Sequence, residues 1–278
     1  MKKNGSMACV ADIIQAMEYL APPCLAEEWD NCGLQVGSRQ WAVRRIWIAL
    51  DPLTSVVQAA ATEKIDMVIT HHPLFFQPLR TIDADTPVGR IIETALSARM
   101  ALYAAHTNLD SAFQGVNDVL AQAIGLRDLR PMIPAECATH KKNDQPEGLG
   151  RVGRLGEPVS LAALAEQIKT RLKLPVVKVA GDLSRIVEYV AVCSGSGGSL
   201  LETFLDMPAQ VYVSGDLRYH DARSVEDADR GLIDIGHFCS EHIVLDPLAE
   251  RLRDLAREKG WRVSIETCPL ERDPFASL

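Results

Sequence analysis

Four histidines and two carboxylates stand where a folded chain could gather them around metal ions. His71 and His72 form a doublet in THHPLFF. His106 and Asp110 are spaced i, i+4 in HTNLD, and His237 and Glu241 share that spacing in GHFCSE. Imidazole nitrogen and carboxylate oxygen both ligate divalent metals at about 2.0–2.2 Å, and one tetrahedral site takes three or four such donors. Six donors are too many for one ion and suit two ions with a shared bridge, for which Glu241 is preferred. Two dications against two carboxylates leave excess positive charge, which helps a water ionise near neutral pH. The donor types fit zinc, iron, manganese or nickel and do not choose among them.

Each piece alone has an ordinary explanation. A histidine doublet can be a surface pair or a satisfied core pair. Asp110 can cap backbone amides, and Glu241 can serve a helix start through capping and the dipole. The joint pattern singles these residues out, because four of the seven histidines follow segments that read as strands.

Those segments must do the positioning. IDMVIT (65–70) is a buried-looking strand that runs straight into the doublet. Neighbouring side chains on a strand point to opposite faces, so His71 and His72 converge only if the strand has ended. Pro73 holds His72 extended and bends the chain there. MALYAA (100–105) delivers His106 and LIDIG (232–236) delivers His237. In parallel α/β sheets ligands bind at the carboxyl ends of strands. Glu241 falls in the first turn of a last helix expected over 240–259, where it can meet His237 and suits the dipole.

The remaining pattern agrees. Strands at 33–37 and 45–51 alternate with helices over 11–21, 54–64 and 87–99, as βαβ units with a largely parallel sheet require. Residues 127–150, with Pro131, Pro134 and KKNDQPEGLG, read as a linker with His140 facing solvent. The layout then restarts with GRVGRL, a helix over 160–173, strands VVKVA, IVEYVAVC and QVYVSG, and a helix near 220–229. A strand over 262–268 closes the chain. Leu245, Leu248, Leu252 and Leu255 recur at near-helical spacing and suit core packing.

Other residues could carry chemistry. The turn CSGSGGS (193–199) can offer the amides around Ser194 and Gly195 to a phosphate, or be a tight turn with no ligand. His220 can be an acid/base group or an outer partner of the site, or a capping or packing residue. His242 should point away from Glu241. Trp29, Trp47 and Trp261 are too scattered for a stacking platform and suit core or interface.

Bulk properties narrow the classes. The 278 residues are 47% apolar and 24% charged, with a net charge of -8. That balance argues against broad nucleic-acid binding and against disorder. No stretch has the roughly 18 consecutive apolar residues of a membrane helix, and MKKNGSMACVADIIQAM does not read as a signal peptide. Seven scattered cysteines without a CxxC pair suit a reducing cytoplasm.

Taken in order, THHPLFF, HTNLD and GHFCSE resemble the NIF-three-like family, whose members are often named GTP cyclohydrolase I type 2 homologues. WDNCGLQVG (29–37) and SGDLRYHDA (214–222) extend the resemblance over essentially the whole chain. Cys32 stands where that family usually has a small β-branched residue. The resemblance implies two interlinked α/β domains with mainly parallel sheets: residues 1–126 plus 233–278, and residues 127–232. It also implies a dinuclear metal site at carboxyl strand ends between them, and a homohexameric ring without an inserted middle domain. Carried over residue by residue, the ligands are His71, His72, His106, Asp110, His237 and Glu241. The expected function is metal-dependent hydrolysis of a small molecule, nucleotides included, by cyclohydrolase or phosphoesterase chemistry. The alternative is a non-catalytic, metal-stabilised ring protein that binds a partner or metabolite.

Overall fold

A computed structural model describes residues 6–137 and 146–276, which leaves His140 outside the described residues. The chain opens with β1 (Ala8–Cys9), α1 (Val10–Leu20), β2 (Gly33–Val36), β3 (Ala42–Val43), β4 (Arg45–Ala49), α2 (Thr54–Thr62) and β5 (Met67–Thr70). Next come α3 (Pro87–Ser97), β6 (Ala101–Ala104), α4 (Thr107–Ser111), α5 (Val116–Ile124), β7 (Arg127–Arg130), β8 (Ile133–Pro134) and β9 (Gly148–Leu149). They are followed by β10 (Arg151–Ser160), α6 (Leu161–Arg171), β11 (Lys178–Ala180), β12 (Ile186–Ser196), α7 (Leu201–Leu205) and β13 (Val211–Gly215). The last are α8 (Tyr219–Asp227), β14 (Gly231–Asp234), α9 (His237–His242), α10 (Leu245–Lys259) and β15 (Ser264–Thr267).

Contacts divide the chain into two compact units, Met1–Leu109 with Leu245–Glu271 and Asp110–Val244 with Arg272–Leu278. The division falls inside α4 and between α9 and α10, rather than at 126/127 and 232/233. Packing explains this. Leu120, Ala121 and Ile124 of α5 are buried among Leu161, Val190 and Val213, and Cys239 and Ile243 pack against the same core. Helix α10 instead packs on β15 and β4.

The first unit carries a five-stranded sheet in the order β15-β4-β5-β6-β2. All its pairs are parallel except β2 with β6. β5 and β6 are buried at every position, which accounts for their unbroken apolar runs. Val56, Val57 and Ala60 of α2 and Ile91, Ile92 and Ala95 of α3 pack on Trp47, Val68 and Leu102. Each such branched side chain contributes about 1.5–3 kcal/mol on burial. Thr86 accepts from the Gly89 amide at 3.1 Å and Pro87 follows, so α3 begins where a cap and a proline dictate. Leu245, Leu248 and Leu252 are buried as their spacing predicts, Leu255 is half-buried, and Ala249 and Ala256 complete that stripe.

The second unit has a six-stranded sheet in the order β11-β14-β13-β12-β10-β7. Its centre, β12, β13 and β14, is parallel, while β11, β10 and β7 add antiparallel. Two segments differ from expectation. The segment read as a linker begins with β7, paired to β10, and then pairs β8 with β9. Arg127, Asp128 and Arg130 are exposed on this edge, so no apolar alternation announces the strand. The helix expected over 240–259 is two helices, interrupted at Ile243 and Val244. Among the described residues, no helix is long and apolar enough to cross a membrane.

Candidate metal centre

In the first unit, three strand ends and the turn before β2 build a histidine cluster. β5 stops at Thr70, whose hydroxyl donates to the His72 carbonyl at 2.7 Å. The His71 and His72 amides donate to Ala49 and Leu50 carbonyls at the end of β4. This leaves both imidazoles beyond the sheet edge, beside the one that follows β6. The ring centroids of His71, His72 and His106 are 5.0, 5.1 and 5.6 Å apart. Each ring offers a ligand atom, and these atoms lie within 4.8 Å of one another, so the three could hold a metal ion.

Each ring is oriented through Nδ1. His71 Nδ1 lies 2.9 Å from the Ala105 carbonyl, which can only accept. His72 Nδ1 meets Asp51 at 2.8 Å, and His106 Nδ1 meets Asp30 at 2.9 Å. With the proton on Nδ1, the lone pair of each neutral ring is on Nε2, as metal-ligating histidines require. Burial alone would raise the Asp30 carboxyl. Hydrogen bonds from His106, Thr107 and Cys32 outweigh it and hold the carboxyl far below the usual range. Asp30 is therefore an ionised anchor for His106. Asp51 is fixed from behind, because Glu271 accepts from the Leu50 and Asp51 amides at 2.7 and 2.8 Å.

The second unit carries the other three predicted ligands, and brings two of them, His237 and Glu241, together. Gly236, at φ 81, caps α9, and His237 is its first helical residue. Glu241 therefore lies past the first turn, contrary to the expected dipole placement. The i, i+4 geometry holds nevertheless: His237 Nε2 is 3.0 Å from Glu241 Oε2. His237 Nδ1 is 2.8 Å from Asp216, just beyond β13. Both ring nitrogens thus face carboxylate oxygens. Asp110 is buried, and Ser194 Oγ lies 3.2 Å from its carboxylate.

Buried side chains hold these donors in place. Asn117 donates to the Asp110 carbonyl at 3.1 Å and accepts from the Ser194 amide at 2.8 Å. The Gly195 amide donates to Ser240 Oγ at 2.8 Å, and Ser240 donates to the His237 carbonyl at 2.7 Å. The Ser194 and Gly195 amides are thus engaged within the protein rather than offered to a phosphate. Gly195 has φ +64, and a Cβ there would stand 2.1 Å from Glu241 Oε1.

His220 is exposed on α8, with its ring 5.4 Å from Tyr219. His242 stacks on Phe238, ring centroids 4.7 Å apart. Sequence reasoning missed Asp51 and Asp216 as histidine partners, although both lie within two residues of the ends of strands, β4 and β13. It also missed Asn117 and Ser240, which carry no local signal.

The thiols are unequal. Burial, with Asp110 and Glu241 nearby, pushes Cys193 up to about 12, and burial beside Asp30 pushes Cys32 up to about 12. Cys24 is exposed. At pH 8 iodoacetamide should modify Cys24 first and leave Cys32 and Cys193 as thiols, because the thiolate is the nucleophile. Peptide mass spectrometry of a labelling time course reads this directly.

The model of the Duf34/NIF3 (NGG1p interacting factor 3) family matches residues 8–274. A Streptomyces coelicolor protein named "GTP cyclohydrolase 1 type 2 homolog" is 32% identical, covering 98% of this chain and 95% of that protein. A Clostridium perfringens protein of the same name is 33% identical over 95% of this chain and 97% of its own. Among solved structures, a Bacillus cereus protein related to NIF3 superposes with a TM-score of 0.89 at 26% identity, covering 98% of this chain and 100% of that one. Matched nearly from end to end in sequence and in fold, the chain belongs to the Duf34/NIF3 family.

Proposed function

We propose that this protein is a metal-dependent hydrolase whose His71, His72, His106, Asp110, His237 and Glu241 are ligands of one dinuclear divalent-metal centre. The observation that carries the reading is the orientation of the histidines. All four have Nδ1 against a carboxylate or carbonyl oxygen, the outer-partner arrangement of metal-bound imidazole. The donor chemistry fits, since imidazole and carboxylate together suit zinc, iron, manganese or nickel. When bound, such ions supply Lewis-acid polarisation of a carbonyl, amidine or phosphoryl group and acidify water.

The chain's own residues hold and orient. Asp30, Asp51 and Asp216 fix three ring tautomers, and the Ala105 carbonyl fixes the fourth. Ser194 and Gly195 line the second unit's donors, and His220 remains a candidate for contact with substrate. The relatives' name suggests a small molecule of the purine nucleotide class as substrate. Assembly as a homohexamer belongs to the same proposal.

Protein purified without chelator should carry near two metal equivalents per chain by atomic emission. Metal-loaded protein should hydrolyse at least one member of a panel of nucleotides, cyclic amides and phosphodiesters. His72→Ala and Glu241→Ala should lose both metal and turnover. Activity unchanged in both variants would exclude metal-centred catalysis, and full loading without turnover would favour a binding protein.

A further inference from the structure

Trp29 and Phe76 are far apart in sequence yet side by side in the first unit, with ring centroids 6.2 Å apart and planes tilted by 39°. Both are large apolar groups left in solvent, 57% and 45% exposed. Both also touch the histidine cluster. Trp29 stands edge-on to His106 at 6.0 Å, and Phe76 does so at 5.6 Å. The scatter of the tryptophans in sequence suits core or interface, whereas Trp29 meets a phenylalanine from another loop.

The pair is rigidly presented. Asp30, adjacent to Trp29, is tied to His106 Nδ1 and to the Thr107 amide and hydroxyl. Asn31 Nδ2 donates to the Phe75 carbonyl at 2.7 Å, joining the two loops next to the rings in sequence. Gln35 Nε2 closes the same turn on the Asn31 carbonyl at 2.7 Å. Fixed backbone on both sides means that little conformational entropy is lost when a ligand settles on the rings. Asp30, Asn31 and Gln35 are committed to these internal bonds, and the rings they present are bordered by the His106 imidazole.

We infer that Trp29 and Phe76 form a stacking platform for a flat heteroaromatic ring, presented beside His106. An exposed indole anchored on one side takes such a ring by face-to-face or offset stacking, which tolerates many substituents. The distance from the indole to His106 is comparable to the length of a fused bicyclic ring. A stacked ligand would therefore place one edge by the histidine cluster. The inference deepens the hydrolase reading by naming the part of the substrate that is gripped, and it rests on that reading only for what lies at the ring's edge.

The test titrates the full-length, metal-loaded protein with guanosine 5′-monophosphate, adenosine 5′-monophosphate and ribose 5-phosphate. Binding is followed by calorimetry and by quenching of tryptophan fluorescence. The two nucleotides should bind more tightly than ribose 5-phosphate. Trp29→Ala should weaken them about tenfold or more and abolish most of the quench. It should leave ribose 5-phosphate binding and metal content unchanged. Trp29→Phe should recover part of the loss, and Phe76→Leu should lose less than Trp29→Ala. Nucleotide affinity equal in wild type and Trp29→Ala, or no preference over ribose 5-phosphate, overturns the platform. So does a change of oligomeric mass on light scattering with nucleotide affinity intact, which would assign the rings to a subunit contact. Nucleotide binding that depends on Trp29 in protein carrying no metal supports the platform while removing the metal centre, so the two readings fail separately.

Discussion

Asp118→Ala should lower the stability of the second unit by about 3–5 kcal/mol, the usual cost of leaving one member of a buried ion pair alone. Arg151 is the largest fully buried side chain in the described residues, and its Nε pairs with Asp118. The guanidinium also donates to the carbonyls of Gly148 and Gly150 at 2.6 and 2.8 Å and of Ala112 at 3.2 Å. These three neutral acceptors engage the guanidinium but do not neutralise its charge. Asp118 further accepts from the Gln114 amide at 2.6 Å. Its loss therefore loosens the turn that precedes Asn117 and, through Asn117, Asp110 and Ser194. Urea unfolding read by circular dichroism should show the midpoint falling sharply for Asp118→Ala and less for Asp118→Asn, which keeps an acceptor without the charge. Equal midpoints for all three proteins would show that the pair contributes nothing net.

Gly195→Ala should lower metal affinity by on the order of 10–100-fold, the range seen when groups that orient ligands are disturbed, while the protein stays folded. Two effects act together. The position has φ +64, where an L side chain is strained by about 1 kcal/mol, and the new methyl would occupy the place of the Glu241 carboxylate. The carboxylate must shift, which disturbs its contact with His237. Competition with a chromogenic chelator would measure the change in affinity. Thermal denaturation should show only a modest shift, because Gly195 lies at the end of β12 rather than in its middle. Unchanged metal affinity would remove Glu241 from the ligand set.

How far the sequence reveals the molecule depends on where the information lies. β5 and β6 are legible because strands buried on both faces must be apolar throughout, and His71, His72 and His106 are legible because polar residues follow those runs at once. Pro73 makes the bend after β5 readable as well. Strand β7 is hidden because an edge strand with exposed arginines has no apolar face to display. The split between α9 and α10 is hidden because Ile243 and Val244 continue the apolar pattern across the break. The setting of the imidazoles is only half legible. Asp51 and Asp216 lie at strand ends, where such partners could be sought, whereas the link from Asn117 to Ser194 spans 77 positions. The meeting of Trp29 with Phe76 likewise depends on Asn31 reaching a carbonyl 44 residues away.

The short strand β7 has one more consequence. β10 and β12 are long strands, ten and eleven residues, and without a neighbour β10 would offer open backbone groups to any passing extended chain. β7 covers its first half, and Arg154 pairs with Asp128 across the join. The second half holds Glu157 and Pro158, a charge and a residue with no amide hydrogen, both poor templates for strand addition. A stretch that looks like spare connecting chain is thereby a guard against edge-to-edge aggregation, and trimming it would expose the second sheet to self-association.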